Sequence, residues 1–222
     1  MHELSVIIPM HNGVNFIDRA ILSIKEISSS IEIIVVENGS SDGSFEHVRQ
    51  TYPDIKAVEI LEPSKSLARN AGAAAAKFDV ITFLDQDDEF LSPRNTAKYI
   101  EAALNGEIVI GTQLYLESEF ANMPNYLQRN SNSHLPHYYS IGMLISKKVF
   151  IESGGFKADY DQAEDIEFLT QLQRGGFKIR YVPDNFLIRH FHETNVSHRI
   201  EEAQSELFRV LRSHVHAITE NE

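Results

Sequence analysis

The chain has 222 residues, enough for one domain with a small appendage and a sizeable core. Its formal charge of −12 leaves no excess of Lys and Arg to neutralise phosphates, which argues against nucleic acid as the main partner. Cysteine is absent, so disulfides and thiolate chemistry are excluded.

The first elements alternate. Leu4 to Ile8 reads as a buried strand. No basic region or long apolar run precedes or extends it, so it does not read as a signal peptide. Asn15 to Ile27 carries Phe16, Ala20, Ile21, Ile24 and Ile27 at helical spacing. Ile31 to Val36 is a second strand, and Ser44 to Gln50 is helical. Ala57 to Leu61 is a third strand, followed by an alanine-rich helix from Ser64 to Ala76. Val80 to Leu84 is the fourth strand. This alternation predicts a mainly parallel α/β sheet, whose ligands lie beyond the carboxyl ends of the strands. Pro9 to Gly13, Glu37 to Asp42 and Asp85 to Asp88 are polar strand ends in the same half, so a shared crevice is expected.

The pattern then loosens. Pro93 to Leu104 reads as a helix and Ile108 to Leu114 as a strand. Glu117 to Tyr139 has no clean period, and a loop of that length is expected to be functional, as a lid or an acceptor-recognition segment. Ile141 to Ile145 resumes a strand. Gly154-Gly155-Phe156 marks a turn, and Glu164 to Gln173 is a helix stopped by Gly175-Gly176. Phe177 to Val182 and Phe186 to Phe191 read as two further strands, and Ser197 to Ile218 as a helical tail. No stretch reaches the length of a membrane-spanning helix.

The fourth strand ends in Asp85, Asp87 and Asp88. Carboxylates this close repel one another and raise each other's pKa. A hard divalent cation with oxygen preference is the natural neutraliser; an acidic turn is the plainer alternative.

Several segments together resemble family 2 glycosyltransferases. Ser5 to Asn12 is similar to their V-I-I-P-x-Y-N strand, and Glu32 to Ser44 to E-I-I-V-V-D-D/N-G-S-x-D-G-S/T. Ala68-Arg69-Asn70-Ala71-Gly72 resembles A-R-N-x-G, and Leu84 to Asp88 resembles L-D-x-D-D. Gly154 to Phe156 and Ala163 to Phe168 resemble G-G-F followed by E-D-x-D/E-F/L. Arg189 to Ser197 is similar to R-x-H-x-x-S-x-S.

The resemblance implies a GT-A fold, a Rossmann-like, mainly parallel sheet flanked by helices with a C-terminal acceptor-side region. Residues 1–196 would form the transferase domain, with 1–90 binding nucleotide-sugar and 91–196 carrying acceptor and catalytic groups; 197–222 would be the helical tail. It implies inverting transfer of a sugar from a nucleoside diphosphate-sugar to an acceptor hydroxyl, in cell-surface glycan or polysaccharide synthesis. Asp87, Asp88 and His192 are the implied ligands of Mn²⁺ or Mg²⁺. Asp165 is the implied general base, and Glu164 an acceptor contact. Pro9, His11, Asn12, Glu37, Asn38, Arg69, Asp85 and Asp87 are the implied nucleotide-sugar contacts, with Arg69 facing nucleotide or diphosphate and Asp85 orienting Arg69 or the metal shell.

His11, Glu37, Asn38 and Ser64 depart from the family pattern, so the base is open: uracil first, thymine second. A glycan or lipid-linked acceptor is expected, in the cytoplasm or peripheral to the inner face of the membrane. The tail would pack on the core, form a homodimer or touch the membrane. Two other readings stand beside this one. An inactive nucleotide-sugar-binding protein fits the departures but not the retention of Asp88 and Asp165. A Mg-dependent aspartyl phosphatase, with Asp85 as nucleophile and Asp87 as acid, fits poorly because the cluster lies on the fourth strand.

Overall fold

The computed structural model describes residues 3–116, 141–160, 162–192 and 200–219. The expected loop from Glu117 to Tyr139 lies outside the described residues. A five-stranded sheet is built from β1 (Leu4–Met10), β2 (Glu32–Glu37), β3 (Lys56–Glu59), β4 (Val80–Phe83) and β7 (Ile145–Ser146), in the order β3-β2-β1-β4-β7. The first four strands are mutually parallel, and β7 adds antiparallel to β4. The chain steps outward from β1 to β2 and β3, then returns to the other side of β1 as β4. That reversal creates a crevice at the carboxyl ends of β1 and β4, the usual ligand position on such a sheet.

Every residue of β1 is buried, as befits a central strand covered on both faces. Alternate side chains feed two cores. Leu4, Val6, Ile8 and Met10 pack towards α1 (Ile17–Ile27), while Ile7 joins Ile34, Val36, Ile81 and Phe83 on the other face. That second face is covered by α3 (Lys65–Ala75). The helix lies close because residue 72 is glycine: a Cβ there would meet Ile7 Cγ2 at 2.3 Å and Val36 Cγ2 at 3.1 Å. Ser64 caps the helix, its Oγ accepting from Leu67 N–H at 3.3 Å.

The remaining elements are α2 (Ser44–Thr51), β5 (Glu89–Phe90), α4 (Thr96–Leu104), β6 (Glu107–Tyr115), α5 (Lys147–Glu152), α6 (Glu164–Arg174), β8 (Lys178–Arg189) and α7 (Ile200–Thr219). A second sheet has the order β5-β8-β6, with β6 parallel to β8 and β5 antiparallel. It meets the first sheet where Val109 and Leu144 exchange backbone hydrogen bonds of 2.9 and 2.8 Å.

The structure corrects several expected boundaries. One long β8 replaces the two expected strands. Its register with β6 jumps from Ile110↔Tyr181 to Thr112↔Asn185, so Val182, Pro183 and Asp184 bulge opposite Gly111. Pro183 has no N–H for the ladder, which is why the apolar pattern breaks there without ending the strand. The strand expected over Ile141 to Ile145 shrinks to Ile145–Ser146, because Ile141 and Gly142 form a turn and Gly142 sits at φ +82°. α5, capped by Ser146, and the two-residue β5 are too short for periodicity to reveal.

Gly72→Ala tests the close approach of α3 to the sheet. The added methyl overpacks the core, and the urea midpoint is expected to fall by about 1–3 kcal/mol in stability. An unchanged midpoint would show that α3 is not seated on Ile7 and Val36.

Candidate active site

The site forms around one buried cation. Arg69, on α3, has no exposed surface. Its Nη2 donates to Asp85 Oδ1 at 2.9 Å and its Nη1 to Glu164 Oε1 at 2.8 Å. Asp85 follows β4 and Glu164 opens α6, so the guanidinium joins segments distant in sequence. Lys65, one turn earlier on α3, reaches the same Glu164 Oε1 at 2.6 Å. Burial opposes the charge on each member, yet mutual attraction prevails. Burial would lower the Arg69 pKa, but Asp85 and Glu164 hold it up. Burial would raise Glu164 and Asp85, but Lys65 and Arg69 hold Glu164 below its ordinary range, and Arg69, Lys65 and Arg189 do so for Asp85.

The surrounding motifs hold this cation in place. The Asn70 side chain reads the Phe156 backbone both ways, donating to its carbonyl at 2.7 Å and accepting from its N–H at 3.0 Å. Phe156 then lies under Arg69, with the guanidinium 5.1 Å from the ring centroid. Gly155, at φ +65°, allows the turn; a Cβ there would come within 2.8 Å of Asn70 Oδ1.

The acidic end of β4 is compact. Carboxylate oxygens of Asp85, Asp87 and Asp88 lie within 4.8 Å of one another. Asp88 is 4% exposed. Burial, then Asp87 and Asp85 as like charges, push its carboxyl well above the ordinary range, although Arg189 and the His190 N–H at 3.0 Å oppose this. His192 Nε2 lies 3.0 Å from Asp87 Oδ2, and its ring stacks on Phe16 with centroids 4.4 Å apart. Arg19 donates to the Asp87 carbonyl at 2.6 Å. Three clustered carboxylates with one imidazole, whose like charges push Asp88 up despite Arg189 and the Arg69–Asp85 pair, are a donor set that fits a hard divalent cation.

Beside the bridged Glu164, Asp165 sits in the first turn of α6 and keeps part of its surface open to solvent. Its Oδ1 accepts from Ile166 N–H at 2.8 Å. Burial first, and Glu164 second, raise its pKa; Lys65, Arg69 and the Ile166 N–H oppose the rise.

The β1 and β2 ends form the third wall. His11 is exposed, with Nδ1 2.9 Å from Asn38 O and Nε2 3.2 Å from Asn12 Nδ2. That pair of contacts puts the proton on Nδ1. Gln86, the residue between Asp85 and Asp87, clamps the His11 backbone through two hydrogen bonds of 2.9 Å. Asn12, at φ +50°, accepts from Ser41 N–H at 2.8 Å. Asn38 Oδ1 accepts from Ser64 N–H at 2.5 Å, so the departing Asn38 and Ser64 pair with each other.

Four expected contacts differ in place. Arg69 is expected at the nucleotide, but its guanidinium is enclosed between Asp85 and Glu164 with no surface to offer. Pro9 is buried within β1 in register with Val36. Glu37 is 5% exposed, and its Oε1 accepts from Ser40 N–H. These residues are enclosed, whereas His11 and Asn12 are exposed. Glu164, expected at the acceptor, is 2% exposed and held by Lys65 and Arg69. The sequence reading missed Lys65, Gln86 and Arg19. Lys65 had a signal, since it lies four residues before Arg69 on one helix face; the other two had none.

The family model for glycosyl transferase family 2 matches residues 5–162. The uncharacterized glycosyltransferase alr2836 of Nostoc sp. is 35% identical over 112 residues, which cover 48% of this chain and 34% of that one. The undecaprenyl-phosphate 4-deoxy-4-formamido-L-arabinose transferase of Aeromonas hydrophila is 30% identical over 118 residues, covering 49% of this chain and 36% of that one. The chain thus spans about a third of the length of these relatives. S. aureus TarS 1-349 in complex with UDP-GlcNAc aligns with a TM-score of 0.66 at 16% identity, over 88% of this chain and 60% of that one. The structural likeness shows the GT-A fold.

The buried bridge makes a stability prediction. Arg69→Met removes the guanidinium shared by Asp85 and Glu164, leaving Glu164 with Lys65 alone, and is expected to cost about 3–5 kcal/mol at pH 7 by urea unfolding. Adding Asp85→Asn and Glu164→Gln should recover much of that loss. Because Asp85 and Glu164 have depressed pKa values in the folded state, their contribution is present above the unfolded values and is lost as pH falls through the folded ones. Glu164→Gln should therefore flatten the acid side of the stability curve. A cost for Arg69→Met below about 1 kcal/mol would show an exposed, screened pair instead.

Proposed function

The chain belongs to glycosyl transferase family 2, and on that premise we propose that it is an inverting, metal-dependent transferase moving a sugar from a nucleoside diphosphate to an acceptor hydroxyl. The observation that carries this reading is the Asp85–Arg69–Glu164 bridge, which ties the turn bearing Asp165 to the acidic end of β4.

Asp165 is the general base. It takes the acceptor hydroxyl proton as that oxygen bonds to the anomeric carbon. The bond from this carbon to the diphosphate oxygen breaks, and the nucleoside diphosphate leaves with the electron pair. Attack opposite the leaving group inverts the centre. The raised pKa of Asp165 makes it a stronger base than an ordinary carboxylate. Asp87, Asp88 and His192 would hold Mn²⁺ or Mg²⁺, which when bound supplies charge neutralisation for the departing diphosphate. His11 and Asn12 line the nucleotide side, backed by Pro9, Glu37 and Asn38. The buried Arg69 and Asp85 align the two acidic clusters, and Glu164 anchors the turn of Asp165.

The UDP-GlcNAc held by TarS supports a UDP-sugar donor. The name of the Aeromonas relative supports a polyprenyl-linked acceptor, here one that presents a sugar hydroxyl, with a soluble glycan as the comparison in an acceptor screen. Among the described residues no helix is long and apolar enough to cross a membrane.

Donor class is read by thermal shift. UDP with Mn²⁺ is expected to raise Tm more than either alone and more than dTDP with Mn²⁺, and EDTA should abolish the gain. No shift with any nucleoside diphosphate would reject the reading. Asp165→Asn should lower kcat by about 10²–10⁴-fold in UDP release while UDP affinity stays unchanged. The wild-type rate should fall on the acid side at a pH above the ordinary carboxylate range. Asp165 has a raised folded pKa, so its ionisation opposes folding at neutral pH, and the Asn variant should melt no lower than wild type. Full activity in Asp165→Asn would assign the base elsewhere.

A further inference from the structure

The turn that delivers Asp165 is held from outside its own element. Ala163 is the N-cap of α6 and has no side-chain oxygen to cap it. Glu206, on α7, comes to that place instead. Its Oε2 accepts from the backbone N–H groups of both Gln162, at 2.9 Å, and Ala163, at 3.0 Å. Three residues further along the same helix, Arg209 donates to the Asp159 carbonyl. Its guanidinium lies 4.2 Å over the Tyr160 ring. Residues three apart share a helix face, so both grips come from one side of α7. Val210 is 1% exposed and seats the helix. The tail therefore packs on the core beside α6.

We propose that Glu206 and Arg209 are positioning residues for the transfer step, clamping Asp159, Gln162 and Ala163 so that Asp165 faces the acceptor while Glu164 stays locked on Arg69 and Lys65. This rests on Asp165 being the base. The physical argument is one of precision. A charged carboxylate accepting two backbone N–H groups is a strong, directional restraint, and it also favours the positive end of α6. The Asp159 carbonyl is fixed at the other side of the turn. Releasing either end lets the turn shift, and a shift of about 1 Å in a reacting group costs on the order of 10²-fold in rate. The donor side is built from β1, β2 and β4, whereas Glu206 and Arg209 grip Asp159, Gln162 and Ala163, so donor binding should not follow.

Glu206→Ala, Arg209→Ala and Glu206→Gln in the full chain test this. Glu206→Ala and Arg209→Ala are expected to lower kcat by about 10–10²-fold with KM for the donor and UDP affinity unchanged. Glu206→Gln, which keeps an oxygen acceptor, should restore most of the rate. Unchanged kcat in both alanine variants, UDP affinity falling in step with kcat, or no recovery in Glu206→Gln would overturn the clamp. Hydrogen exchange supplies an arm independent of turnover. The Gln162 and Ala163 amides should exchange at least tenfold faster in Glu206→Ala than in wild type, and equal rates would overturn the proposal. If wild type binds UDP with Mn²⁺ but transfers to no acceptor, the functional reading fails while this exchange arm still decides the clamp.

Discussion

The structure turns on a fully buried guanidinium held between two carboxylates from distant parts of the chain. Arg69 in hydrophobic surroundings is tolerable only because Asp85 and Glu164 are both within hydrogen-bond distance. Glu164, 2% exposed, lies that deep because Arg69 and Lys65 neutralise it. Breaking such an assembly is costly because each partner left behind is an uncompensated charge, even though forming it gains little over a well-packed apolar core. An ion-pair assembly like this specifies geometry more than it adds stability. The geometry specified here is the spacing between the acidic end of β4 and the first turn of α6.

Much of the remaining fold exists to keep Arg69 in position. Gly72 brings α3 against Ile7 and Val36, which sets the depth of the arginine one turn earlier. Asn70 fixes Phe156 through its backbone, and Phe156 packs with Phe83, Phe150 and Phe168 into an aromatic floor beneath the guanidinium. Thus the A-R-N-x-G and G-G-F segments, separated by some eighty residues of chain, are two halves of one joint. The topological reversal between β1 and β4 then presents that joint at the mouth of a crevice, beside His11, Asn12 and the aspartates. On the far side of the crevice, α7 fixes the approach to α6.

The parallel core was legible because strands buried on both faces and amphipathic helices write simple periods into the sequence. Leu4 to Met10 and Ile31 to Val36 are almost uninterrupted apolar runs, and Phe16 to Ile27 has one clear face. Boundaries failed where local chemistry broke the period without ending the element, as at Pro183 in β8. They failed also where an element was shorter than any period, as in β5 and α5. For the site, residue types told what chemistry was present but not which way a side chain pointed. Arg69 among alanines reads equally as a ligand contact or as a buried bridge, and only the paired acids distinguish the two. Gln86, Arg19 and Glu206 act on backbone groups of other segments, and contacts of that kind leave no trace in residue type or spacing.

A shared cavity for the two acidic clusters is most directly examined by paramagnetic broadening. In protein carrying ¹³C-labelled aspartate carboxyls, sub-stoichiometric Mn²⁺ should first broaden Asp85, Asp87 and Asp88. Asp165 should broaden strongly along with them, while Asp54, paired with Lys25 at the last turn of α1, remains sharp. An Asp165 signal as insensitive to Mn²⁺ as that of Asp54 would contradict the account.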